Sequence, residues 1–238
     1  MVVDKAHWSK VAQQWITWAR SPAHDAFWAY REALVDYIGP GSGSAIEIGC
    51  GEGRVSRVLK QLGYRVTATD PVATMVDAAR EAESADDYAI CGADSLPVEA
   101  GKFDFVMAYN VLMDIDDMQA ALREIRRVMK ADGTLFVSLV HPFRDRGRFD
   151  GPQPDAVFVM KDSYYGRKRF DGEEASNGLR MHFAGWSQPL QNYMAAFEQE
   201  KLAIVSLREP IPSPAHAERL AQSARMPLFL WLKLRLLP

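Results

Sequence analysis

The segment AIEIGCGEGRVSRVL, residues 45–59, joins a short apolar strand to an amphipathic helix through a loop with three glycines. Beyond it, β-branched segments alternate with helical patterns of about 10–18 residues. Such alternation is typical of βαβ units, in which parallel strands carry helices on both faces of a sheet. We therefore predict a doubly wound, mostly parallel α/β fold, and ligands of such folds bind at the carboxyl ends of the strands.

The remaining elements follow from the same patterns. We predict helices at 54–63, 72–84, 116–133 and 188–202, and strands at 45–49, 64–70, 87–93, 103–111, 134–141, 203–210 and 227–236. The last two strands are separated by a connection rather than a helix, which indicates an antiparallel hairpin closing the sheet. The apolar run at the end of the chain is expected to be a central or edge strand, and an exposed edge could pair two subunits.

Two segments lie outside this alternation. Residues 5–38 read as two helices rich in aromatic residues, which either pack on the core or form a lid over a ligand. Residues 141–185 show little periodicity, and an insertion of this length without clear elements is more often functional than structural. We expect one domain over 1–238, divided into a helical lid (1–38), a cofactor-binding core (44–141), a substrate-side insertion (142–185) and a C-terminal helix with closing strands (186–238).

Composition narrows the class of protein. The 238 residues carry a formal net charge of −3, which argues against a nucleic-acid footprint over the whole chain. Two cysteines cannot build a disulfide framework, so a reducing, cytoplasmic setting is the simplest expectation. We find no secretory signal, no apolar run of the ~20 residues that would cross a bilayer, and no cluster with metal-ligand spacing. The expected state is a monomer or a homodimer.

The glycine loop does not match the phosphate-binding motifs. Its G-x-G-x-G spacing differs from the G-x-G-x-x-G of dinucleotide sites, and the Lys-Ser/Thr of a P-loop is missing. Glu47 in the preceding strand would repel a pyrophosphate but suits an ammonium group. Asp70 ends the second strand, where a carboxylate can accept both ribose hydroxyls, and Asp94 follows the third strand, where it could accept from an adenine amino group. Asp70 could instead be only a helix cap, and Asp94 only a turn residue.

This arrangement resembles the class I S-adenosylmethionine-dependent methyltransferases, in particular their small-molecule branch. The segments EIGCGEGR, TATDP, CGADSLPV, FDFVMAYNVLMDIDD and ALREIRRVMKADGTLFVSLVHP are similar to five of the family's motifs, in order. Ala131-Asp132-Gly133 stands where the family more often has Pro-Gly-Gly. The resemblance implies a seven-stranded Rossmann-like methyltransferase fold, with S-adenosylmethionine as cofactor and S-adenosylhomocysteine as product.

The resemblance also implies cofactor-binding residues. Glu47 would lie near the methionine amino group, the three loop glycines under the cofactor, and Asn110 beside its methionine end. The full implied set is Glu47, Gly49, Cys50, Gly51, Gly53, Arg54, Asp70, Pro71, Ala93, Asp94, Ser95 and Asn110. Within it, Cys50 is expected to be a small packed residue rather than a nucleophile.

Methyl transfer from a sulfonium needs positioning above all, and a base only where the acceptor must lose a proton. His141 follows the fifth strand and is the first candidate base, although it could equally cap that strand. His182 is the second candidate, and a buried, satisfied histidine is the alternative. Trp18, Tyr164, Tyr165 and Trp186 could contact the acceptor, or only pack.

The predicted function is methyl transfer from S-adenosylmethionine to a small-molecule acceptor, with O-methylation favoured over N- or C-methylation. Basic and aromatic residues interleave within 143–170, but neighbouring carboxylates dilute their charge. A solvated insertion is the favoured interpretation, an acidic small-molecule acceptor is the next alternative, and a nucleic-acid partner is not expected. One alternative is a methyltransferase acting on tRNA or another macromolecule. Another is a protein that binds the cofactor without methylating anything.

Overall fold

The computed structural model describes residues 3–176 and 178–237 of the chain. Its helices are α1 (Val3–Ala19), α2 (Phe27–Ile38), α3 (Arg54–Gln61), α4 (Ala73–Glu81), α5 (Met118–Val128) and α6 (Leu190–Gln199). Its strands are β1 (Ser44–Ile48), β2 (Arg65–Asp70), β3 (Asp87–Ile90), β4 (Phe103–Tyr109), β5 (Met129–Val140), β6 (Arg148–Phe149), β7 (Phe158–Val159), β8 (Lys168–Ser176), β9 (Leu179–Ser187), β10 (Leu202–Arg208) and β11 (Phe229–Leu236).

A seven-stranded sheet in the order β10-β11-β5-β4-β1-β2-β3 forms the centre of the molecule. β3, β2, β1, β4 and β5 pair in parallel, whereas β11 pairs antiparallel with both β5 and β10. The predicted doubly wound fold and its antiparallel closing hairpin are therefore confirmed. The apolar C-terminal run is an inner strand, and β10 and β3 form the two edges.

The strand order reverses beside β1, whose neighbours are β2 on one side and β4 on the other. Ala45, Ile46 and Ile48 are fully or almost fully buried. Helices cover both faces of the sheet, which explains why β1 is buried at successive positions rather than at alternate ones. One apolar cluster joins the sheet to α5 and α6, and a second joins it to α2 and α3. The segment that opens the alternation thus leads to the crevice where doubly wound sheets bind ligands.

The helix predicted at 116–133 ends earlier, at Val128. The backbone amides of Gly101 and Lys102 donate to the carbonyls of Arg127 and Val128, which satisfies the last turn of the helix. Met129 then pairs with Phe103 of β4. Residues 129–133 therefore belong to β5, because cross-strand pairing outweighs their helical pattern.

The insertion is not devoid of regular elements, contrary to the prediction. β8 and β9 form a two-stranded antiparallel hairpin with nine paired positions, from Lys168 opposite Ser187 to Ser176 opposite Leu179. β6 and β7 form a second, short pair. The alternation of Leu179, Met181 and Phe183, and the Asn-Gly dipeptide before them, are hairpin signals in the sequence.

Helix α1 lies between this hairpin and α4. Its Ala12 and Ile16 pack with Met75 of the α4 region, and its Val11 and Trp18 pack with Met181 of β9. The aromatic N-terminal segment therefore bridges two elements above the carboxyl ends of the strands. In the described residues no helix is both long and apolar enough to cross a membrane.

Candidate active site

A cavity of about 900 Å³ lies at the carboxyl ends of β1, β2 and β4. Helix α1 and the β8–β9 hairpin form its other walls, through Trp15, Trp18 and Phe183 among others. Ligand sites of drug-sized molecules occupy about 300–1,000 Å³. The cavity is therefore large enough for a nucleoside-sized ligand, and it extends beyond the strand ends into an aromatic half.

The loop after β1 forms the floor of the cavity. Gly49 and Gly51 line it and have φ values of +69° and +53°, a region that glycine adopts without strain. A Cβ on Gly51 would approach Nε1 of Trp15 to 2.9 Å. The loop and α1 are therefore in contact across the cavity, and a side chain at residue 51 would separate them.

Gly53 does not line the cavity, in contrast to the expectation that it lies under the cofactor. Its φ is +86°, and a Cβ there would lie 2.3 Å from Oγ of Ser84 and 2.9 Å from Cβ of Ala79. The residue begins α3, so it allows this helix to pack closely against the end of α4. We correct its role from cofactor contact to packing.

Glu47 is 2% exposed and lines the cavity from the end of β1. The hydroxyl of Ser56, in α3, donates to its carboxylate. Burial raises the pKa of the Glu47 carboxyl to about 8, and the hydrogen bond from Ser56 offsets part of this rise. A carboxyl group held neutral by burial becomes charged when a cation binds beside it, so its position suits an ammonium group.

Asp70 is 8% exposed at the end of β2, and both of its oxygens already accept backbone hydrogen bonds. Oδ2 accepts from the amide of Gly51 at 3.0 Å and Oδ1 from the amide of Val72 at 2.9 Å. Burial raises the pKa of its carboxyl to about 6, and these two bonds lower it. The residue that precedes α4 directly is Val72, so Asp70 closes a turn and also braces the glycine loop. A carboxylate oxygen has a second lone pair, which leaves acceptor capacity toward the cavity that Asp70 and Pro71 line.

The loop after β3 forms the next wall. Ala93 and Asp94 line the cavity, whereas Ser95 does not. The amide of Ser95 instead donates to the carbonyl of Gly92, in a turn. Asp94 is exposed, and a Cβ on Gly92 would meet its Oδ1 at 2.5 Å. Glu47, Asp70 and Asp94 thus lie along one side of a single cavity.

Asn110 lies just past the end of β4, with a φ of +51°. Its amide donates to the carbonyl of Ser138, and its Oδ1 accepts from the hydroxyl of Ser138 at 2.6 Å. These two contacts with β5 hold the residue in a left-handed conformation. Since Oδ1 is occupied, the side-chain NH₂ is the group that Asn110 offers to the cavity.

Arg54 begins α3 and is buried in the cavity wall. Its guanidinium forms an ion pair with Asp25 at 2.5 Å and lies over the rings of Trp15 and Phe27, at 4.8 and 5.0 Å from their centroids. Cys50 also lines the cavity, and burial raises the pKa of its thiol well above the ordinary value. Cys50 is therefore a packed thiol, and Arg54 joins α3 to the segment before α2.

Neither histidine predicted as a base lines the cavity. Nε2 of His141 contacts Glu209 at 3.0 Å, and its Nδ1 accepts from the amide of Phe143. Burial lowers the pKa of His141, and Glu209 partly offsets this. His182 contacts Asp171 on the outer side of the hairpin, and its carbonyl contacts Nε2 of His7. Both rings make contacts that order loops, and neither lies among the residues that line the cavity.

Of the four residues predicted to contact the acceptor, one lines the cavity. Trp18 lines the cavity, 6.0 Å from the ring of Phe183. The hydroxyl of Tyr164 accepts from the amide of Leu190, and Tyr165 is largely exposed. Trp186 does not line the cavity but donates to Asp116, which does. Tyr164, Tyr165 and Trp186 are therefore structural or surface residues.

The structure adds lining residues that sequence reasoning missed. They come from α1, from the segment before α2, from β4 and the turn after it, and from the hairpin: Trp8, Trp15, His24, Asp25, Tyr109, Met113, Asp114, Phe170, Glu174 and Phe183. The aromatic residues of α1 were visible in the sequence, where packing on the core and a lid over a ligand were both possible interpretations. The hairpin residues had no assignment because no strand was predicted there. Within the described part of the chain, no group of three His, Cys, Asp or Glu residues could hold a metal ion.

The cavity fits S-adenosylmethionine on its own chemistry. Glu47 suits an ammonium, Asp70 keeps acceptor capacity for hydroxyls, and Asp94 can accept from an amino group. The loop does not suit a pyrophosphate, because Glu47 and Glu52 flank its glycines and the neighbouring Arg54 is paired with Asp25. These residues would hold the cofactor at the β1–β2 side, with the aromatic half left for a second molecule.

Comparisons with known proteins agree with this fold. Residues 46–137 match the family described as "Methyltransferase domain". The chain is 29% identical over 168 residues to a malonyl-[acyl-carrier protein] O-methyltransferase of Enterobacter lignolyticus, covering 68% of this chain and 62% of that protein. It is also 29% identical over 141 residues to a ubiquinone biosynthesis O-methyltransferase of Xanthomonas campestris, covering 55% and 58%. The chain thus spans about three fifths of the length of these relatives.

Solved structures support the same architecture. The crystal structure of an S-adenosylmethionine-dependent methyltransferase from Mesorhizobium loti superposes with a TM-score of 0.68 at 20% identity, over 89% of this chain and 98% of that one. At this identity the likeness concerns the fold. Together with the domain match over residues 46–137, it shows that the chain has the fold of S-adenosylmethionine-dependent methyltransferases.

Proposed function

We propose that this chain transfers the methyl group of S-adenosylmethionine to a small-molecule acceptor. The observation that carries the proposal is the single cavity in which Glu47, Asp70 and Asp94 line one side and aromatic residues line the other. The bound cofactor supplies an electrophilic methyl group on a sulfonium. The residues of the chain bind and orient the two reactants and exclude water, and alignment of this kind can lower a barrier by ~7–11 kcal/mol.

Each group has a part in this arrangement. Glu47, once ionised, would hold the ammonium, and Asp70 the ribose hydroxyls. The NH₂ of Asn110, held by Ser138, would orient the methionine end. Trp15, lying against Gly51, would cover the cofactor and exclude water from it. We propose the sequence-derived set of cofactor residues in this form, without Gly53 and Ser95.

O-methylation is the proposed reaction, because two relatives carry the name O-methyltransferase. The histidines no longer support it, since neither lines the cavity. A small acceptor fits the walls formed by α1 and the hairpin, which leave the aromatic half partly enclosed. The cytoplasmic setting remains part of the proposal, and both cysteines are free.

Two measurements test this function. Calorimetry with the full chain should show binding of S-adenosylmethionine and S-adenosylhomocysteine, and absence of both refutes the proposal. Incubation with S-adenosylmethionine and a metabolite extract should then give a product heavier by one methyl group. Binding without any product would favour the alternative of a non-methylating cofactor-binding protein, and product formation only on RNA would favour a macromolecule methyltransferase.

A further inference from the structure

The inner face of the β8–β9 hairpin places one carboxylate, Glu174, in the cavity lining. In an antiparallel pair, opposite residues share a face, and every second residue belongs to it. The pairs Phe170–Gly185, Gly172–Phe183 and Glu174–Met181 therefore lie on one face. Phe170, Gly172, Phe183 and Glu174 line the cavity, which shows that this face points inward.

Glu174 differs from the other carboxylates of the hairpin in its partners. Asp171 contacts His182, and Glu173 forms an ion pair with Arg180 at 2.9 Å. Glu174 is influenced through space by Asp25, from the segment before α2, and by Arg144, from the turn after β5. Burial is the main cause of the raised pKa of the Glu174 carboxyl, and Asp25 adds to it while Arg144 opposes it. Its accessible surface faces the cavity.

An aromatic residue lines the same end of the cavity. Tyr109 at the end of β4 is 6% exposed, and its hydroxyl forms no hydrogen bond of standard geometry. Asp25 acts on the pKa of Tyr109 as well as on that of Glu174. Burial raises the pKa of Tyr109, so its phenol stays protonated. Its hydroxyl oxygen is itself buried beside Ser138, so the ring of Tyr109 rather than its oxygen lines the cavity.

Aromatic rings form the walls between these groups. Phe183 lies 6.2 Å from Trp15 and 6.0 Å from Trp18, and Phe229 lies 6.3 Å from Tyr109, measured between ring centroids. Such a slot favours a flat, unsaturated ring, which can stack or pack edge-to-face.

The charge of this region is negative. Among the described residues that line the cavity outside the proposed cofactor positions, Lys5 is the one lysine or arginine, and Arg54, within the cofactor set, is paired with Asp25. The carboxylates there are Asp25, Glu52, Asp114, Asp116, Asp117, Asp145, Glu173 and Glu174. An anionic acceptor would meet like charge at short range, whereas a neutral or cationic one would not.

We propose that Glu174 accepts the proton of an acceptor hydroxyl or amine, and that this acceptor is an aromatic molecule of neutral or positive charge rather than a carboxylate. The inference rests on the proposed function. A carboxylate acceptor carries no proton to remove at neutral pH, so the Glu174 carboxylate, which is exposed and lines the cavity, would oppose its binding without serving its reaction.

In the proposed methyl transfer, the acceptor oxygen or nitrogen forms a bond to the methyl carbon while the carbon–sulfur bond of the sulfonium donor breaks. The electron pair of that bond stays on sulfur, which becomes a neutral thioether. The proton of the acceptor moves to the Glu174 carboxylate, and from there to solvent when the product leaves.

The test uses three phenols that differ only in charge: tyramine, 4-ethylphenol and 3-(4-hydroxyphenyl)propionate. Binding to the full chain loaded with S-adenosylhomocysteine is followed by tryptophan fluorescence, since Trp15 and Trp18 line the site. At pH 7.5 we expect tyramine to bind at least tenfold more tightly than the propionate. Glu174→Gln should reduce this ratio to less than threefold, and Glu174→Asp should retain it. Asp171→Asn, on the outer face of the same strand, should leave it unchanged.

The outcomes separate this inference from the proposed function. Failure to bind S-adenosylhomocysteine refutes the function itself. If the loaded protein binds the propionate as tightly as tyramine, binds none of the three phenols, or shows the same ratio in Glu174→Gln, the assignment of Glu174 is wrong. For any of these phenols that is methylated, Glu174→Gln should lower kcat at least a hundredfold with KM changed less than the kcat. It should also abolish the rise of kcat with pH, whereas a merely structural role would leave that profile intact.

Discussion

Glu47 should release a proton when S-adenosylhomocysteine binds. Burial holds the pKa of its carboxyl at about 8, so at pH 7 roughly nine-tenths of the free protein carries a neutral Glu47. The ammonium of the ligand favours the charged form and lowers this pKa toward its ordinary range. Binding at pH 7 should therefore release about 0.9 proton per ligand from this residue.

The same linkage sets the pH dependence of affinity. The raised pKa belongs to the free protein, so below about pH 8 binding must also ionise Glu47, at about 1.4 kcal/mol per pH unit. Affinity should fall about tenfold from pH 7.5 to 6.5. Asp70 adds a second proton only near pH 6, where burial places the pKa of its own carboxyl. Above about pH 8 Glu47 is mostly ionised, so the affinity should level off there and fall only once the ammonium of the ligand itself loses its proton.

Calorimetry in buffers of different ionisation enthalpy measures the proton release directly. Methylthioadenosine is the matched control ligand, because it keeps the adenine and ribose but lacks the ammonium. It should release no proton through Glu47. Glu47→Gln should remove the proton release and weaken S-adenosylhomocysteine binding at pH 7.5 by at least about thirtyfold. Glu81→Gln changes the net charge equally on the exposed side of α4 and should have no effect.

Equal proton release by S-adenosylhomocysteine and methylthioadenosine at pH 7 would contradict ionisation of Glu47 by the ammonium. A constant affinity for S-adenosylhomocysteine between pH 6.5 and 7.5 would contradict it as well. Either result would mean that the ammonium does not lie beside Glu47.

Three further predictions concern packing and the corrected residues. Gly53→Ala forces a φ of +86° on an L-residue against Ser84, so it should lower the free energy of unfolding by about 1–3 kcal/mol. Urea titration measures this change, and an unchanged midpoint would contradict the packing role. His141→Gln should keep kcat within about threefold because the ring lies outside the cavity wall, so a loss beyond about a hundredfold in steady-state kinetics would restore it as a base. Asp25→Asn leaves the buried guanidinium of Arg54 without its carboxylate, so it should destabilise the fold by about 3–5 kcal/mol. Thermal or urea unfolding measures this loss, and a loss below about 1 kcal/mol would show that the ion pair is dispensable.

The core elements could be read from the sequence because their signals are local. The apolar run of β1, the amphipathic period of α3 and the β-branched run of β2 each lie within a dozen residues. The end of α5 could not be read in the same way. It depends on amides of Gly101 and Lys102, more than 20 residues earlier in the chain, and on pairing between Met129 and Phe103.

The candidate site residues show the same difference between local signals and contacts that are distant in the chain. Those at the ends of predicted strands, such as Glu47, Asp70 and Asn110, line the cavity because parallel strands end at the same edge of a sheet. His141 also ends a strand, yet Glu209 and the amide of Phe143 hold its ring away from the cavity. Its position along the chain could not show the direction of its side chain.

The alternating architecture, the glycine loop and the carboxylates at the strand ends could be predicted from the sequence. A strand's direction and its last residue follow from local pattern and sheet topology. The elements that close the cavity are visible only in the tertiary structure. Trp15 meets Gly51, and Glu174 faces the same space as Tyr109, because α1 and the hairpin fold back over the sheet. Contacts between segments so far apart in the chain depend on packing, which no local pattern encodes.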